Sequence, residues 1–322
     1  MELLFLGTSS GSPTKTRNVS GCAVRRAASR AWCLIDCGEG TQHRLLHTKL
    51  SLNNLSAICI THVHGDHCYG LPGLLDSASL GGRTEPLHIY GPAGIEQLLT
   101  TVRTVSVSHQ PYPVHFHAIE ELDGTFDAGE FTVSRIVLSH RVPSYAYAFQ
   151  EKDIERKLDA QKLKLAGVPP GPMWKEIQGG SDLTLEDGRL LHAEDFLLPG
   201  RRARKIIVSG DNDNPSLLQT ACADADVLVH EATYTMEIAQ KVGPGPQHCA
   251  AQTIAEFGAA AKLPNLVLTH FSARYQDDVS RSPSIKDIED EAKQYYQGNL
   301  ILARDFDLLR LNKEGDLSPV TE

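Results

Sequence analysis

The densest chemistry in the chain lies in one short run, Thr61-His62-Val63-His64-Gly65-Asp66-His67. In extended backbone, residues i and i+2 share a face, so His62 and His64 point the same way. A turn at Gly65 brings Asp66 and His67 round to a neighbouring point. Two imidazoles can then hold one cation while a carboxylate and an imidazole hold another, and that donor set suits Zn²⁺. A lone histidine in such a place is more often a satisfied core or surface residue. Four metal-type groups in this spacing are explained far better by a metal site.

Four groups cannot complete two zinc sites, so distant ligands are required. Three residues follow apolar strands in the same manner: His140 after Ile136-Val137-Leu138-Ser139, Asp211 after Ile206-Ile207-Val208-Ser209-Gly210, and His270 after Leu266-Val267-Leu268-Thr269. Open α/β sheets place their sites where buried strands meet loops. The completed count puts His62, His64 and His140 on one metal, Asp66, His67 and His270 on a second, and Asp211 between them. Two-metal sites of this kind hold their ions about 3.5–4 Å apart.

The elements that must position these groups are legible as short apolar runs. Strands are expected at 1–6, 31–36, 55–60, 87–90, 131–138, 205–209, 226–229, 265–269 and 299–302. Helical patterns fall at 41–50, 93–104, 216–223, 250–261 and 285–296. With 322 residues, 41% hydrophobic and 22% charged, the composition is that of a soluble globular protein and excludes a disordered or collagenous chain. No apolar run approaches the roughly 20 residues of a membrane span. The start, MELLFLGTSS, lacks a basic region and reads as a first strand rather than a secretory signal. Seven cysteines without CxxC spacing read as free thiols of a reducing compartment.

Net charge is −9, and residues 276–322 hold 11 acids against 6 bases. Taken alone, that balance argues against a nucleic-acid partner. One segment does not fit a compact core. Residues 151–178 carry five Lys, one Arg and five acids, then Gly167-Val168-Pro169-Pro170-Gly171-Pro172. It reads as a solvated surface insertion or as a projecting arm that contacts a large partner.

The HxHxDH run and its distant partners resemble the metallo-β-lactamase superfamily, whose fold is an αββα sandwich with a dinuclear zinc site along one edge. An Asp at 211, where true lactamases use Cys, points away from lactamase activity. Further motifs resemble the ribonuclease Z family. They are Phe5-Leu6-Gly7-Thr8, Pro13-Thr14-Lys15-Thr16-Arg17-Asn18, His230-Glu231-Ala232-Thr233 and Leu268-Thr269-His270-Phe271-Ser272-Ala273-Arg274-Tyr275. The resemblance implies one metallo-β-lactamase-fold domain over 1–322, in the short form, with 151–178 as an inserted tRNA-binding arm. It further implies two Zn²⁺ per chain, precursor tRNA as substrate, removal of the 3′ trailer to leave a 3′-hydroxyl, a cytoplasmic homodimer and no membrane. The sequence departs from the family pattern at Asn212, where Thr is usual, and at Cys249-Ala250, where Ser-Thr is usual.

Roles follow from the same resemblance. Asp66 ligates metal and orients or deprotonates the attacking water. His248 protonates the leaving group, held by Glu231. Lys15, Arg17 and Asn18 read the tRNA 3′ end, and Gly171 and Pro172 belong to the arm. On the residues alone, His248 reads equally as a helix-start residue, Glu231 as a structural carboxylate and the 15–18 loop as solvated. Two other functions remain open at this stage. A small phosphodiester or thioester would leave the arm and the Pro13–Asn18 loop without a purpose. A non-catalytic RNA-binding protein would be expected to have lost ligands, and all seven are present.

Overall fold

The computed structural model describes residues 1–154 and 156–320, so Glu155 of the expected arm lies outside the described residues. The chain divides into two compact units, Met1–Gln150 with Arg204–Glu322, and Glu151–Ala203.

The larger unit is built on two sheets. Across the eight-stranded sheet the order is Leu317–Pro319, Leu308–Leu311, Glu2–Gly7, Gly21–Arg25, Trp32–Ile35, Leu55–Cys59, Leu87–Gly91 and Val114–Ala118. The seven-stranded sheet runs Asn299–Leu302, Asn265–Thr269, Val227–Glu231, Lys205–Ser209, Ser144–Glu151, Phe131–Leu138 and Thr125–Ala128. Both are mixed. Trp32–Ile35 through Val114–Ala118 pair in parallel, as do Lys205–Ser209 through Asn299–Leu302.

Strand periodicity builds the layers. Ala57 and Cys59 face a central core with Leu3, Phe5, Phe131, Tyr147, Val208, Val229 and Val267, whereas Ile58 and Ile60 face outward under helices. In the second sheet Ile206 and Val208 point inward and Ile207 outward, and Val267 lies inward between outward Leu266 and Leu268. Alternate residues thus fill two cores at once, which is why these strands read as unbroken apolar runs. Helices Leu71–Leu80 and Ala93–Ser106 cover the first sheet, and Ala251–Ala260 and Ile285–Tyr295 cover the second. The result is the expected αββα sandwich.

Several elements escape the sequence reading. Helix Leu71–Leu80 carries Pro72 and Gly73 in its first turn; proline is tolerated there because the first helical N–H groups are unpaired in any case. Strand Ser144–Glu151 (SYAYAFQE) is buried along nearly its whole length: the aromatics Tyr145, Tyr147 and Phe149 fill the central core, and the small residues between them pack on the other face. The seven cysteines are all free and buried. Among the described residues, no helix is long and apolar enough to cross a membrane.

The second unit has its own small core. Leu163, Val168, Ile177, Leu191, Ala193 and Phe196 are buried together, drawn from helices Ala160–Leu165 and Pro172–Gln178 and the segment that follows. The expected arm stops at 178, but this unit continues to Ala203 because Leu191, Ala193 and Phe196 complete that core. The unit's two ends meet: Leu198 N–H donates to Lys157 O at 2.8 Å.

Candidate metal centre

All seven expected ligands converge at strand ends of the sandwich. Ile60 continues strand Leu55–Cys59 by donating its N–H to Tyr90 O at 2.8 Å. His62 and His64 follow, and the short helix Gly65–Cys68 carries Asp66 and His67. His140 follows Phe131–Leu138, and Asp211 follows Lys205–Ser209. His270 follows Asn265–Thr269 with a φ of 57°, a left-handed conformation uncommon outside glycine and characteristic of functional sites. Gly210 lets the two sheets close on the site: a Cβ there would lie 2.6 Å from Thr61 Cβ.

The donors form two linked groups, His62-His64-His140-Asp211 and Asp66-His67-His270, with Asp211 touching both, and a third overlapping group sets His248 against Asp211 and His270. His64 Nδ1 lies 3.1 Å from both His62 Nε2 and His140 Nε2. His67 Nε2 lies 3.2 Å from His270 Nε2. Asp66 Oδ2 sits 3.5 Å from His67 Nε2 and 3.4 Å from His270 Nε2. Asp211 Oδ1 is 3.4 Å from each of those nitrogens, and Oδ2 is 3.6 Å from His62 and 3.7 Å from His140.

The outer ring nitrogens decide what the inner ones offer. His67 Nδ1 lies 2.7 Å from Asp36 Oδ2, and His140 Nδ1 lies 2.9 Å from Gln247 O. Neither oxygen can donate, so both nitrogens carry hydrogen. His62 Nδ1 lies 3.0 Å from Thr61 Oγ1, which itself donates to Asp36 Oδ2 at 2.9 Å. His270 Nδ1 lies 3.1 Å from Thr233 Oγ1, which donates to Glu231. These partners assign the hydrogen to Nδ1 and turn four Nε2 lone pairs toward the centre. Facing lone pairs beside two carboxylates repel unless a cation lies among them. His67 reports the same field. Burial disfavours a charge on this ring, yet Asp211, Asp36 and Asp66 raise its pKa, so without a cation the carboxylates would draw a proton onto the Nε2 position that a metal would otherwise take. The residues present fit a metal cofactor, and outer partners of this type orient metal-ligating imidazoles.

His248 stands beside the cluster, ahead of helix Ala251–Ala260. Its Nδ1 lies 3.0 Å from Glu231 Oε2 and 3.6 Å from Asp211 Oδ2. Glu231 is buried and accepts from Asn212 N at 2.7 Å. Burial works against charge on His248, but the Glu231 carboxylate overrides it and holds the imidazole pKa well above its usual value. Asn212 is well accommodated: its amide lies 3.0 Å from His230 Nε2 and accepts from Ser139 N at 3.2 Å. Cys249 is buried in the core under the second sheet.

The Pro13–Asn18 loop is held differently from the sequence expectation. Lys15 is exposed, but Arg17 is only 5% exposed and turned inward. Its guanidinium donates to Thr8 Oγ1 and Ala303 O, both at 2.8 Å, and pairs with Asp277 at 3.0 Å. Asn18 N donates to Asp305 Oδ2 at 2.6 Å, and Asn18 Nδ2 donates to Glu39 O at 3.0 Å. Two acids of the C-terminal segment, Asp277 and Asp305, thus clamp this loop. Gly171 and Pro172 lie exposed where helix Pro172–Gln178 begins in the second unit. Asp36, Thr61, Thr233 and the Gln247 carbonyl are the partners that sequence reading missed. Asp36 carried a usable signal, since it ends an apolar run as the distant ligands do.

Solved structures place this architecture. The metallo-β-lactamase fold protein YhfI of Bacillus subtilis matches with a TM-score of 0.65 at 18% identity, over 95% of this chain and 97% of that one. The short form of human tRNase Z matches with a TM-score of 0.67 at 27% identity, over 97% of this chain and 100% of that one. With its His/Asp cluster, the chain is a metal-binding hydrolase of the metallo-β-lactamase fold. A family model described as Anti-Pycsar protein Apyc1 matches residues 1–149, under half of the chain. Ribonuclease Z of Marinobacter nauticus is 51% identical over 320 residues, covering 99% of both proteins. The chain belongs to the ribonuclease Z family and is a nuclease.

Proposed function

We propose that this chain is a zinc-dependent endoribonuclease that removes the 3′ trailer from precursor tRNA and leaves a 3′-hydroxyl on the tRNA. The observation that carries the reading is the coincidence of a seven-donor cluster with an uncoordinated imidazole, His248, held beside it by Glu231 at 3.0 Å. Family membership supplies the substrate class. His62, His64 and His140 would hold one zinc, Asp66, His67 and His270 the other, and Asp211 both. When bound, such a metal pair acidifies a water and neutralises the phosphate oxygens.

The chain's own groups do the rest. Asp66 accepts Gly11 N–H at 2.7 Å. Burial opposes its charge, but the hydrogen bond with His270 and the neighbouring His67 keep its carboxyl below the usual range. As a ligand beside the attacking water it orients or deprotonates it. The attacking water gives up a proton to solvent as its oxygen bonds to phosphorus, the bond to the ribose 3′-oxygen breaks, and that oxygen takes a proton from His248 Nε2. Glu231 holds Nδ1 and so fixes which nitrogen faces the substrate. Lys15 meets the RNA backbone, while Arg17 and Asn18 set the shape of its loop. The second unit, with Gly171 and Pro172 at a helix start, binds the body of the tRNA. We further propose a cytoplasmic homodimer as the working form.

The test is cleavage of a precursor tRNA bearing a 3′ trailer, with both ends mapped. A 3′-hydroxyl on the tRNA and a 5′-phosphate on the trailer are expected. Robust thioester hydrolysis without RNA cleavage would overturn the reading.

A further inference from the structure

A second group of imidazoles lies on the outermost strands of the first sheet. His88 sits on Leu87–Gly91, and His115 and His117 sit on the edge strand Val114–Ala118. The parallel register sets His88 beside His115 and Tyr90 beside His117. Leu87, Ile89, Val114 and Phe116 pack into the core under the helices, so the residues between them project from the opposite face. The rings stack. Centroids of His88 lie 5.1 Å from His115 and 5.3 Å from His117, with interplanar angles of 28° and 16°. Tyr90 stacks on His117 at 4.6 Å and backs the group toward the protein interior.

His88 Nδ1 and His117 Nε2 face each other at 3.0 Å. That is close to the separation found between imidazoles of the metal centre, 3.1 to 3.2 Å. None of the three histidines belongs to that centre. Burial lowers the His88 pKa, reinforced by His117 and His115, and burial and then His115 lower that of His117. Both shifts favour the neutral imidazole, the form that offers a lone pair. His115 is exposed and makes no hydrogen bond among the described residues.

We propose that His88 and His117 bind a divalent transition-metal ion at a site separate from the catalytic cluster, with His115 stacked beside the pair. Imidazole donors suit Ni²⁺, Cu²⁺ and Zn²⁺. With metal–nitrogen bonds of about 2.0–2.1 Å, nitrogens this close subtend about 95° at the ion. That angle fits two adjacent ligands of the tetragonal geometry favoured by Cu²⁺ and Ni²⁺. The ion would tie the edge strand to its neighbour.

The experiment uses the full chain with its catalytic cluster saturated with zinc. Ni²⁺ is titrated by calorimetry, and Cu²⁺ is read by electron paramagnetic resonance. One further equivalent of Ni²⁺ is expected. His88→Gln and His117→Gln should each weaken it by at least the roughly 10- to 100-fold lost when only an outer partner of a metal site is removed. His115→Gln should weaken it less. Zinc content and RNA cleavage should be unchanged in all three. Nitrogen hyperfine structure from at least two imidazoles on added Cu²⁺ gives the donor count without any variant. No further equivalent in the unmutated protein, or one that survives the His88→Gln/His117→Gln double change, would show that the two rings share only an N–H···N bond.

Discussion

In the sandwich, four imidazoles of the cluster have their outer nitrogen held by Asp36, Thr61, Gln247 or Thr233 and their inner nitrogen turned to a common point. In the inserted unit, ionisable groups pair at the surface instead. Arg156 meets Glu194 at 2.6 Å, Arg189 meets Asp187 at 2.7 Å and His192 meets Asp182 at 2.8 Å, with most of these side chains half exposed or more. Exposed pairs contribute roughly 0–1 kcal/mol each, whereas donors buried beside uncompensated lone pairs must be satisfied by a cation. The sandwich is organised around an ion and the insertion around six buried apolar side chains. The contrast is what the proposed division of chemistry from recognition requires, and under it mutations should fall on one side or the other.

The largest effect belongs to Asp211→Ala. Its two oxygens approach His62, His67, His140, His248 and His270. The variant should lose metal from both halves of the cluster, and activity should fall by well over the roughly 10- to 100-fold typical of an outer partner. Elemental analysis checks it; full metal content would break the contrast at its strongest point. His248→Ala should lower single-turnover cleavage by about 10²–10⁴-fold, the range of a general acid or base, with metal content unchanged. A rate within threefold of the parent would return His248 to a helix-start role. Asp36→Asn should weaken metal affinity by roughly 10–100-fold, measured by competition with a chelator, because His67 and Thr61 both rest on that carboxylate.

Glu231→Gln should produce the smallest loss and the most specific signature. The Glu231 carboxylate raises the His248 pKa, so the imidazole keeps its proton through neutral pH. Removing that charge lets the pKa fall toward the ordinary 6.5 or so of histidine. The proton is then lost at lower pH, and the alkaline limb of the single-turnover profile should move to lower pH. An unmoved limb would detach Glu231 from the proton donor.

The members of the His/Asp cluster were legible because strand ends leave a trace: His62 and His64, His140, Asp211 and His270 each follow an apolar run. Asp36 follows such a run too, yet its partners, His67 and Thr61, lie 25 or more residues on, and nothing local announces a second-layer contact. Arg17 illustrates the opposite difficulty. A cation in a polar loop reads as solvent-facing, and only the fold brings Asp277 against it. The insertion's extent was hidden for a related reason. Leu191, Ala193 and Phe196 are apolar residues spaced irregularly among acids, and they become a core only when helices Ala160–Leu165 and Pro172–Gln178 supply the other half.

One measurement tests the division of labour directly. Leu198 N donates to Lys157 O at 2.8 Å, so a short Gly-Ser linker can replace the residues between them. The shortened enzyme should keep its metal and hydrolyse a small chromogenic phosphodiester at the parent rate, while its kcat/KM on precursor tRNA collapses. Equal losses on both substrates would contradict the account and make the inserted unit part of the catalytic scaffold.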